Sequence, residues 1–325
     1  MKQRTIGTGG VAVSAIGFGC MGLTWAYGSA VDTAAGTDVL NHARDIGVTL
    51  FDTADMYGPF TNETLVGEAL HARRGECVIA TKCGIVVHGD RADYDMRRNG
   101  TPAHIRAACD ASLQRLQTGV IDLYQLHRVD PEVPVEESVG AMAELVAAGK
   151  VRAIGLSEVD VQTLERAGAV HPIASLQSEY SLFERNVERE ILPYCKQHGI
   201  ALLAYSPLGR GFLTGRLTQA EIRTGDFRAT LPRFQAEAFE HNRAIVQRIE
   251  AVAARAGAAP GQVALAWLLA KGENVIPIPG TKRRTYLEEN AAAAALELSA
   301  EDVRELDELP APVGDRYAQA NPTRS

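Results

Sequence analysis

Four ionisable side chains stand at the ends of short apolar runs: Asp52 and Tyr57 in Phe51-Asp-Thr-Ala-Asp-Met-Tyr-Gly58, Lys82 in Ala80-Thr-Lys-Cys83, and His127 in Leu123-Tyr-Gln-Leu-His127. A free phenol titrates near pH 10, so Tyr57 needs help to exchange a proton at neutral pH. An ammonium beside it supplies that help: Lys82 would stabilise the phenolate and lower its pKa, and Asp52 would keep Lys82 charged and oriented. His127 would donate a hydrogen bond to an oxygen held next to the phenol. Each residue alone has a plainer account, a solvated strand-end lysine or a structural histidine. Together, on three successive strand ends, they make a proton-transfer constellation around one point.

The elements that must position them repeat. Apolar runs at residues 14–20, 49–54, 77–83, 121–127, 151–157, 173–179, 200–206 and 274–279 read as strands, with amphipathic stretches between them. Residues 102–116 illustrate the helical pattern: Pro102 suits a first helical position, and Ile105, Ala108, Cys109, Leu113 and Leu116 keep helical spacing. Residues 135–148 read the same way. Strands that alternate with helices and are apolar on both faces predict a parallel sheet, and eight such units predict a closed (β/α)8 TIM barrel. A doubly wound open sheet is the second reading. The expected architecture is a single domain over residues 1–325, with an N-terminal β-hairpin turning at residues 7–10 and long loops at the C-terminal face. Strand C-termini face the active site of such a barrel, which is where the four side chains fall. Two stretches depart from the repeat: residues 208–240, rich in Gly209, Arg210, Gly211, Gly215, Arg216, Arg228 and Arg233, and the irregular tail from Pro310. A loop that long is expected to be functional.

Composition narrows the partners. The formal net charge of −7 gives no basic footprint for nucleic acid. No apolar run is long enough for a membrane span, and the first ten residues lack the apolar core of a secretory signal, so a cytoplasmic protein is expected. Cys20, Cys77, Cys83, Cys109 and Cys195 are odd in number and form no CxxC pair, which predicts reduced, packed thiols and no metal site. The oligomeric state is left open.

With Gly17-Phe-Gly-Cys-Met-Gly22 added to the three motifs above, the sequence resembles the aldo-keto reductases over nearly its whole length. The resemblance implies a tetrad of Asp52, Tyr57, Lys82 and His127, hydride from the nicotinamide of NADPH, and a small-molecule carbonyl substrate, aldehyde or ketone. Gly17, Gly19 and Gly22 also spell a dinucleotide-binding turn, but no acidic residue ends a second strand about 20 positions later, so they read as a crowded barrel mouth. The resemblance puts the cofactor on later strands. Ser157, Glu158 and Gln177 would hold the carboxamide, with Glu158 standing where many relatives have Asn. Tyr205 would stack on the nicotinamide; Ser206, Leu208, Gly209 and Gly211 would line the pyrophosphate, and Arg216 would reach it. Gly280, Thr281 and Lys282, with Arg283 or Arg284 as a further cation, form a basic helix start that would take a 2′-phosphate, with Glu289 and Asn290 on adenine. That cluster favours NADPH/NADP+ over NADH.

Loops after the first three strands would wall the pocket, with Trp25, Tyr27, Met56, Phe60 and residues 90–98, and the Gly314-Asp-Arg-Tyr317 segment would close it. Trp25 and Phe60 suit apolar aldehydes; Arg91, Arg97, Arg98 and Arg128 suit a carboxylate or phosphate. Two rival functions remain at this point: a cofactor-binding regulatory protein with slow turnover, and an alcohol or sugar dehydrogenase working in the oxidative direction.

Overall fold

The structure is a computed structural model and describes residues 1–8, 10–88, 95–222 and 226–318. Strands β1 (Gln3–Ile6) and β2 (Val11–Ser14) form the expected antiparallel hairpin; Gly9, within its turn, lies outside the described residues. The parallel sheet consists of β3 (Phe18–Gly19), β4 (Leu50–Asp52), β5 (Val78–Cys83), β8 (Ile121–Leu126), β9 (Val151–Ser157), β10 (Ser175–Glu179), β11 (Ala201–Tyr205) and β12 (Val275–Pro277), hydrogen-bonded in that order. Between β5 and β8 an extra antiparallel pair, β6 (Ile85–His88) and β7 (Asp95–Arg98), stands where the sequence predicts only a loop. Residues 90–94 of that loop, Arg91 included, lie outside the described residues.

Two backbone bonds join the first strand to the last: Gly17 N–H donates to Pro277 O at 2.9 Å and Gly19 N–H to Pro279 O at 3.1 Å. The sheet therefore closes as a (β/α)8 barrel, and the open-sheet alternative falls. The glycines have a packing reason at this seam. A Cβ on Gly19 would sit 2.7 Å from Ile278 O, and one on Gly280 would sit 2.5 Å from Gly19 O.

Strand alternation sorts the side chains into two cores. Leu50, Val78, Ala80, Leu123, Ala201, Leu203 and Ile276 pack inside the barrel, where Ile6 and Val13 of the hairpin join them. Phe51, Ile79, Tyr124, Leu126, Ile154, Leu156, Leu176 and Leu202 face the helices. Continuing the inward series toward the C-terminal ends gives Asp52 after Leu50, Lys82 after Val78 and Ala80, Gln125 and His127 after Leu123, and Tyr205 after Leu203. A period of two thus aims the polar residues at one space above the apolar plug.

Helices occupy Thr33–Asp45, Thr61–Leu70, Pro102–Arg115, Val135–Ala147, Val161–Val170, Ile191–His198, Ala236–Ala256, Pro260–Ala270, Arg284–Ala292 and Ala300–Asp307. Thr101 caps Pro102–Arg115 by accepting from His104 N–H. Two expected boundaries move. Ser14 belongs to the hairpin instead of the first barrel strand, and the 208–240 stretch gives way to helix at Ala236, its earlier part folding as short 3-10 turns such as Gly209–Thr214 and Phe227–Thr230. All five cysteines are buried and unpaired. Among the described residues no helix is long and apolar enough to cross a membrane.

Closure predicts a specific weakness. Gly280→Ala overpacks the seam and should cost about 1–3 kcal/mol, as added methyl groups in tight sites do, read as a lower urea midpoint; an unchanged midpoint would mean the seam yields freely.

Candidate active site

Lys82 has no exposed surface. Its Nζ donates to Asp52 Oδ1 at 2.5 Å, to Thr53 O at 2.8 Å and to Tyr57 Oη at 3.4 Å. The other carboxylate oxygen of Asp52 accepts from Gln177 Nε2 at 2.8 Å and Gln125 Nε2 at 3.3 Å. The ring of Tyr57 meets His127 edge-on at 5.8 Å and Trp25 at 6.0 Å. All four residues expected to move protons are thus gathered at one point.

A turn fixes Tyr57. Its N–H bonds to Ala54 O, and the buried Asn62 ties the turn to its neighbours by donating to Cys20 O at 2.9 Å and Thr24 Oγ1 at 2.8 Å while accepting from Thr53 Oγ1 at 2.6 Å. Gly58 follows at φ +75°, where a Cβ would fall 2.2 Å from Thr61 Oγ1, so the turn needs glycine.

Electrostatics correct one expectation. Burial pushes the Tyr57 phenol above its ordinary range, and Lys82 offsets only part of that rise. The phenol is therefore held protonated, not acidified. Burial would lower Lys82, but Asp52 and Tyr57 outweigh it and keep the ammonium above its usual range. His127 is held well below the usual imidazole range by burial, then by Lys82 and Arg128. Asp55, buried in the same turn, is pushed well up by burial and by Glu63, so it is a weak rival to Asp52 as counter-ion.

The arc expected to hold a nicotinamide lies on β9 to β11. Ser157 Oγ accepts from Arg128 Nη1 at 3.1 Å, and Gln177 is engaged by Asp52. Glu158, at φ +55°, accepts from Glu179 N–H at 2.8 Å and pairs with Arg316 at 2.9 Å. Arg316 also binds Glu179 at 2.6 Å and donates to the Tyr205 hydroxyl. Arg210 Nη2 bonds to Glu179 at 2.9 Å and to Tyr317 Oη at 3.1 Å. The 313–317 segment is pinned along its length: Val313 N–H donates to Asn242 Oδ1 at 2.8 Å, and Gly314 O accepts from Arg233 at 3.1 Å. The segment expected to close the pocket is therefore a strap ion-paired to two strand ends and hydrogen-bonded to a third.

Other expected cofactor residues are committed to one another. The N–H groups of Gly209 and Gly211 close turns onto Ser206 O and Leu208 O, so neither points free as a phosphate ligand. Arg216 pairs with Glu289 at 2.7 Å instead of standing open. Lys282 Nζ donates to Tyr27 O at 2.5 Å and Ser29 O at 2.6 Å, and Arg284 is taken by Asp38. Thr281 Oγ1 accepts from Arg283 N–H at 3.2 Å, and Asn290 is buried. Helix Arg284–Ala292 has no side-chain cap at its N-terminus. Of the expected pocket walls, Trp25 and Met56 join Met21, Ile85, Val87 and Met96 around Tyr57, whereas Phe60 is half exposed under Arg115. Gln125 and Glu179 are not among the expected site residues, and Arg210 and Arg316 are expected only as parts of the 208–240 stretch and the closing tail; for Gln125 the inward alternation after Leu123 is the available signal.

The barrel thus gathers a buried Asp52–Lys82–Tyr57 chain beside His127 at its C-terminal mouth, and comparison with known proteins gives its class. The sequence matches the Aldo/keto reductase family over residues 15–311. It is 47% identical over 311 residues to the probable aldo-keto reductase 1 of Glycine max, covering 95% of this chain and 89% of that protein. The glycerol dehydrogenase AKR11B4 from Gluconobacter oxydans superposes with a TM-score of 0.87 at 30% identity, covering 97% of this chain and 98% of that one. An aldo-keto reductase from Klebsiella pneumoniae in complex with NADPH gives 0.74 at 30% identity, covering 98% and 99%. The chain belongs to the Aldo/keto reductase family and is an oxidoreductase of that type.

Arg316→Ala tests the strap. Burial raises Glu158, but Arg316 outweighs it and holds the carboxyl below its usual range. Removing Arg316 leaves Glu158 without its ion-pair partner while Glu179 keeps Arg210, at a cost on the order of 2–4 kcal/mol for a largely buried pair at pH 7. Because the folded-state value is depressed, this stabilisation is full above the ordinary glutamate range of about 4.3 and fades as pH falls through the lower folded value. Urea midpoints of the two proteins should converge on acidification below about pH 4; a constant gap would assign the loss to packing.

Proposed function

We propose that the protein reduces an aldehyde or ketone to the alcohol with NADPH, Tyr57 giving its proton to the substrate oxygen. The observation that carries this reading is the buried chain Asp52–Lys82–Tyr57 beside His127. Reduced nicotinamide, when bound, supplies the hydride. The protein's own groups do the rest. Tyr57 is protonated before the reaction because burial holds its pKa up. Once the proton has left, the phenolate faces the Lys82 ammonium, which Asp52 keeps charged. Neutral His127 donates from a ring nitrogen and fixes the carbonyl oxygen beside Tyr57. Apolar neighbours Trp25, Met56 and Ile85 keep water from the phenol.

The residues present fit the cofactor at both ends. Ser157 and Gln177 offer a hydroxyl and an amide to a carboxamide, with Tyr205 as an aromatic neighbour. At the other end, the uncapped start of Arg284–Ala292 with Thr281 and Arg283 has the donors and charge a 2′-phosphate requires, and Lys282 would join them by exchanging its bonds to Tyr27 O and Ser29 O. The central part, Gly209, Gly211 and Arg216, is internally bonded and does not fit a pyrophosphate as it stands. Binding there would exchange those bonds. The likeness to a glycerol dehydrogenase favours a second reading, oxidation of a polyol at the same site.

Tyr57→Phe should lower kcat at least about 100-fold, the usual contribution of general acid catalysis, while NADPH binding followed by fluorescence stays within a few-fold. Wild-type kcat for reduction should hold level from about pH 6 to 9 and fall only above about 10, because Tyr57 is raised and His127 lowered. A variant with near-normal turnover, or a rate limb near pH 6.5, would remove Tyr57 or neutral His127 from these roles. NADPH and NADH, each assayed against neutral and anionic aldehydes and, as NADP+ or NAD+, against polyols, separate the two readings and the cofactor preference.

A further inference from the structure

Four arginines around the mouth of the barrel pair with carboxylates. Arg210 holds Glu179 at 2.9 Å, Arg228 holds Asp226 at 2.8 Å, Arg233 holds Glu184 at 3.0 Å and Arg316 holds Glu158 at 2.9 Å. Arg128 differs. It follows His127 directly, is half-buried, and pairs with no carboxylate among the described residues. One terminal nitrogen, Nη1, clamps the ends of two strands by donating to His127 O at 2.7 Å and Ser157 Oγ at 3.1 Å. Its Nε and Nη2 have no acceptor among the described residues, which leaves one edge of the planar fork open.

Further positive charge stands close to this open edge. Buried Lys82 lies in the same mouth, and Arg98 is held below its ordinary range by burial and then by Arg128, so positive charges crowd together. Two carboxylates of the mouth are engaged by other cations, Asp52 by Lys82 and Glu158 by Arg316, with Arg128 adding to the positive charge that holds Glu158 low. A half-buried guanidinium with a free edge is suited to a planar or tetrahedral oxyanion, which it binds in a bidentate manner.

We propose that Arg128 is a specificity-determining residue that binds an oxyanion, carboxylate or phosphate, carried by the carbonyl substrate. This rests on the reductase reading above and adds the substrate class. Arg128 stays fixed by Nη1 while its open edge takes the anion, so the strand clamp and substrate recognition share one side chain.

The experiment uses the full chain with NADPH and compares ω-oxocarboxylates, from glyoxylate to 6-oxohexanoate, with their primary amides; glyceraldehyde 3-phosphate is compared with glyceraldehyde. At the favoured chain length, kcat/KM for the anionic member should exceed that of its neutral partner by about ten- to a hundred-fold, the range of a charge-assisted hydrogen bond. Arg128→Met should collapse that ratio toward one, mostly through KM, and Arg128→Lys should restore part of it. Because the ratio is taken within one protein, a general loss of fold or cofactor cancels. Whether the carboxylate or the phosphate series shows the preference identifies the source of the oxyanion. A second readout needs no turnover: quenching of tryptophan fluorescence by the dicarboxylates of matching length in the NADP+ complex, with Trp25 6.0 Å from Tyr57, should be lost in Arg128→Met. Turnover of neutral and anionic partners at equal kcat/KM would overturn this inference and leave the reductase reading standing. So would an Arg128→Met variant that weakens NADPH binding tenfold without changing the ratio, since the guanidinium would then serve the cofactor. No Tyr57-dependent turnover of any member would remove the reductase reading and this inference with it.

Discussion

An ammonium with no exposed surface has to be balanced within hydrogen-bonding distance, because leaving it unpaired in a protein interior costs several kcal/mol. Lys82 imposes that constraint on the whole mouth of the barrel. Asp52 must stand on the neighbouring strand, in register with Ala80 so that Lys82 reaches it, and the two amides on Asp52, from Gln125 and Gln177, follow from the need to satisfy its second oxygen. Tyr57 then completes the ammonium's shell. Tyr57 thus sits where it does partly because a buried lysine requires a third acceptor, and the turn pinned by Asn62 delivers it. The same contact that satisfies Lys82 in the resting state places a positive charge where a phenolate would form.

Around this centre runs a second charged layer. Glu158 and Glu179 at the ends of β9 and β10 face Arg210 and Arg316, so two carboxylates meet two guanidiniums and the rim is formally neutral. It also holds strained backbone. Glu158, Ser206 and Arg210 lie at positive φ, a conformation that costs a non-glycine residue on the order of 1 kcal/mol or more. Glu158 and Arg210 each bring a charged side chain into the rim, so the ion pairs and the strained turns hold one another in place. Tyr205 lies where the layers meet, its hydroxyl on the strap. The proposed nicotinamide contact at Tyr205 and the conformation of the 313–317 strap would therefore be coupled through one phenol.

Much of the centre was legible in the sequence because it obeys local rules. Alternation along each strand sets Asp52, Lys82 and His127 on the inward face, and the motifs mark strand ends where a barrel exposes its chemistry. The rim was not legible, for a physical reason. Arg316 binds Glu158 and Glu179 across more than a hundred residues, and nothing in the tail's composition specifies which carboxylates it will meet. The same holds for Arg216 with Glu289 and Lys282 with the 27–29 backbone, where residues expected to await phosphates are satisfied by one another. The β6–β7 pair was missed because half of its connection reads as polar loop. The direction of the Tyr57 shift was missed because a list of neighbours gives the charge of Lys82 but not the depth of burial that outweighs it.

That direction bears on which way the site is poised. Burial leaves Tyr57 protonated and His127 neutral over the same broad pH range, so both present hydrogen-bond donors to an oxygen between them. Donors are what a carbonyl oxygen needs as it gains negative charge. Oxidation of an alcohol needs the reverse, a tyrosinate ready to accept, and the resting protein opposes it by burying the phenol. Lys82 reduces that opposition without removing it. The proposed carbonyl reduction thus follows the charge state that the fold already maintains, whereas alcohol oxidation must first draw a proton from a phenol that burial holds protonated.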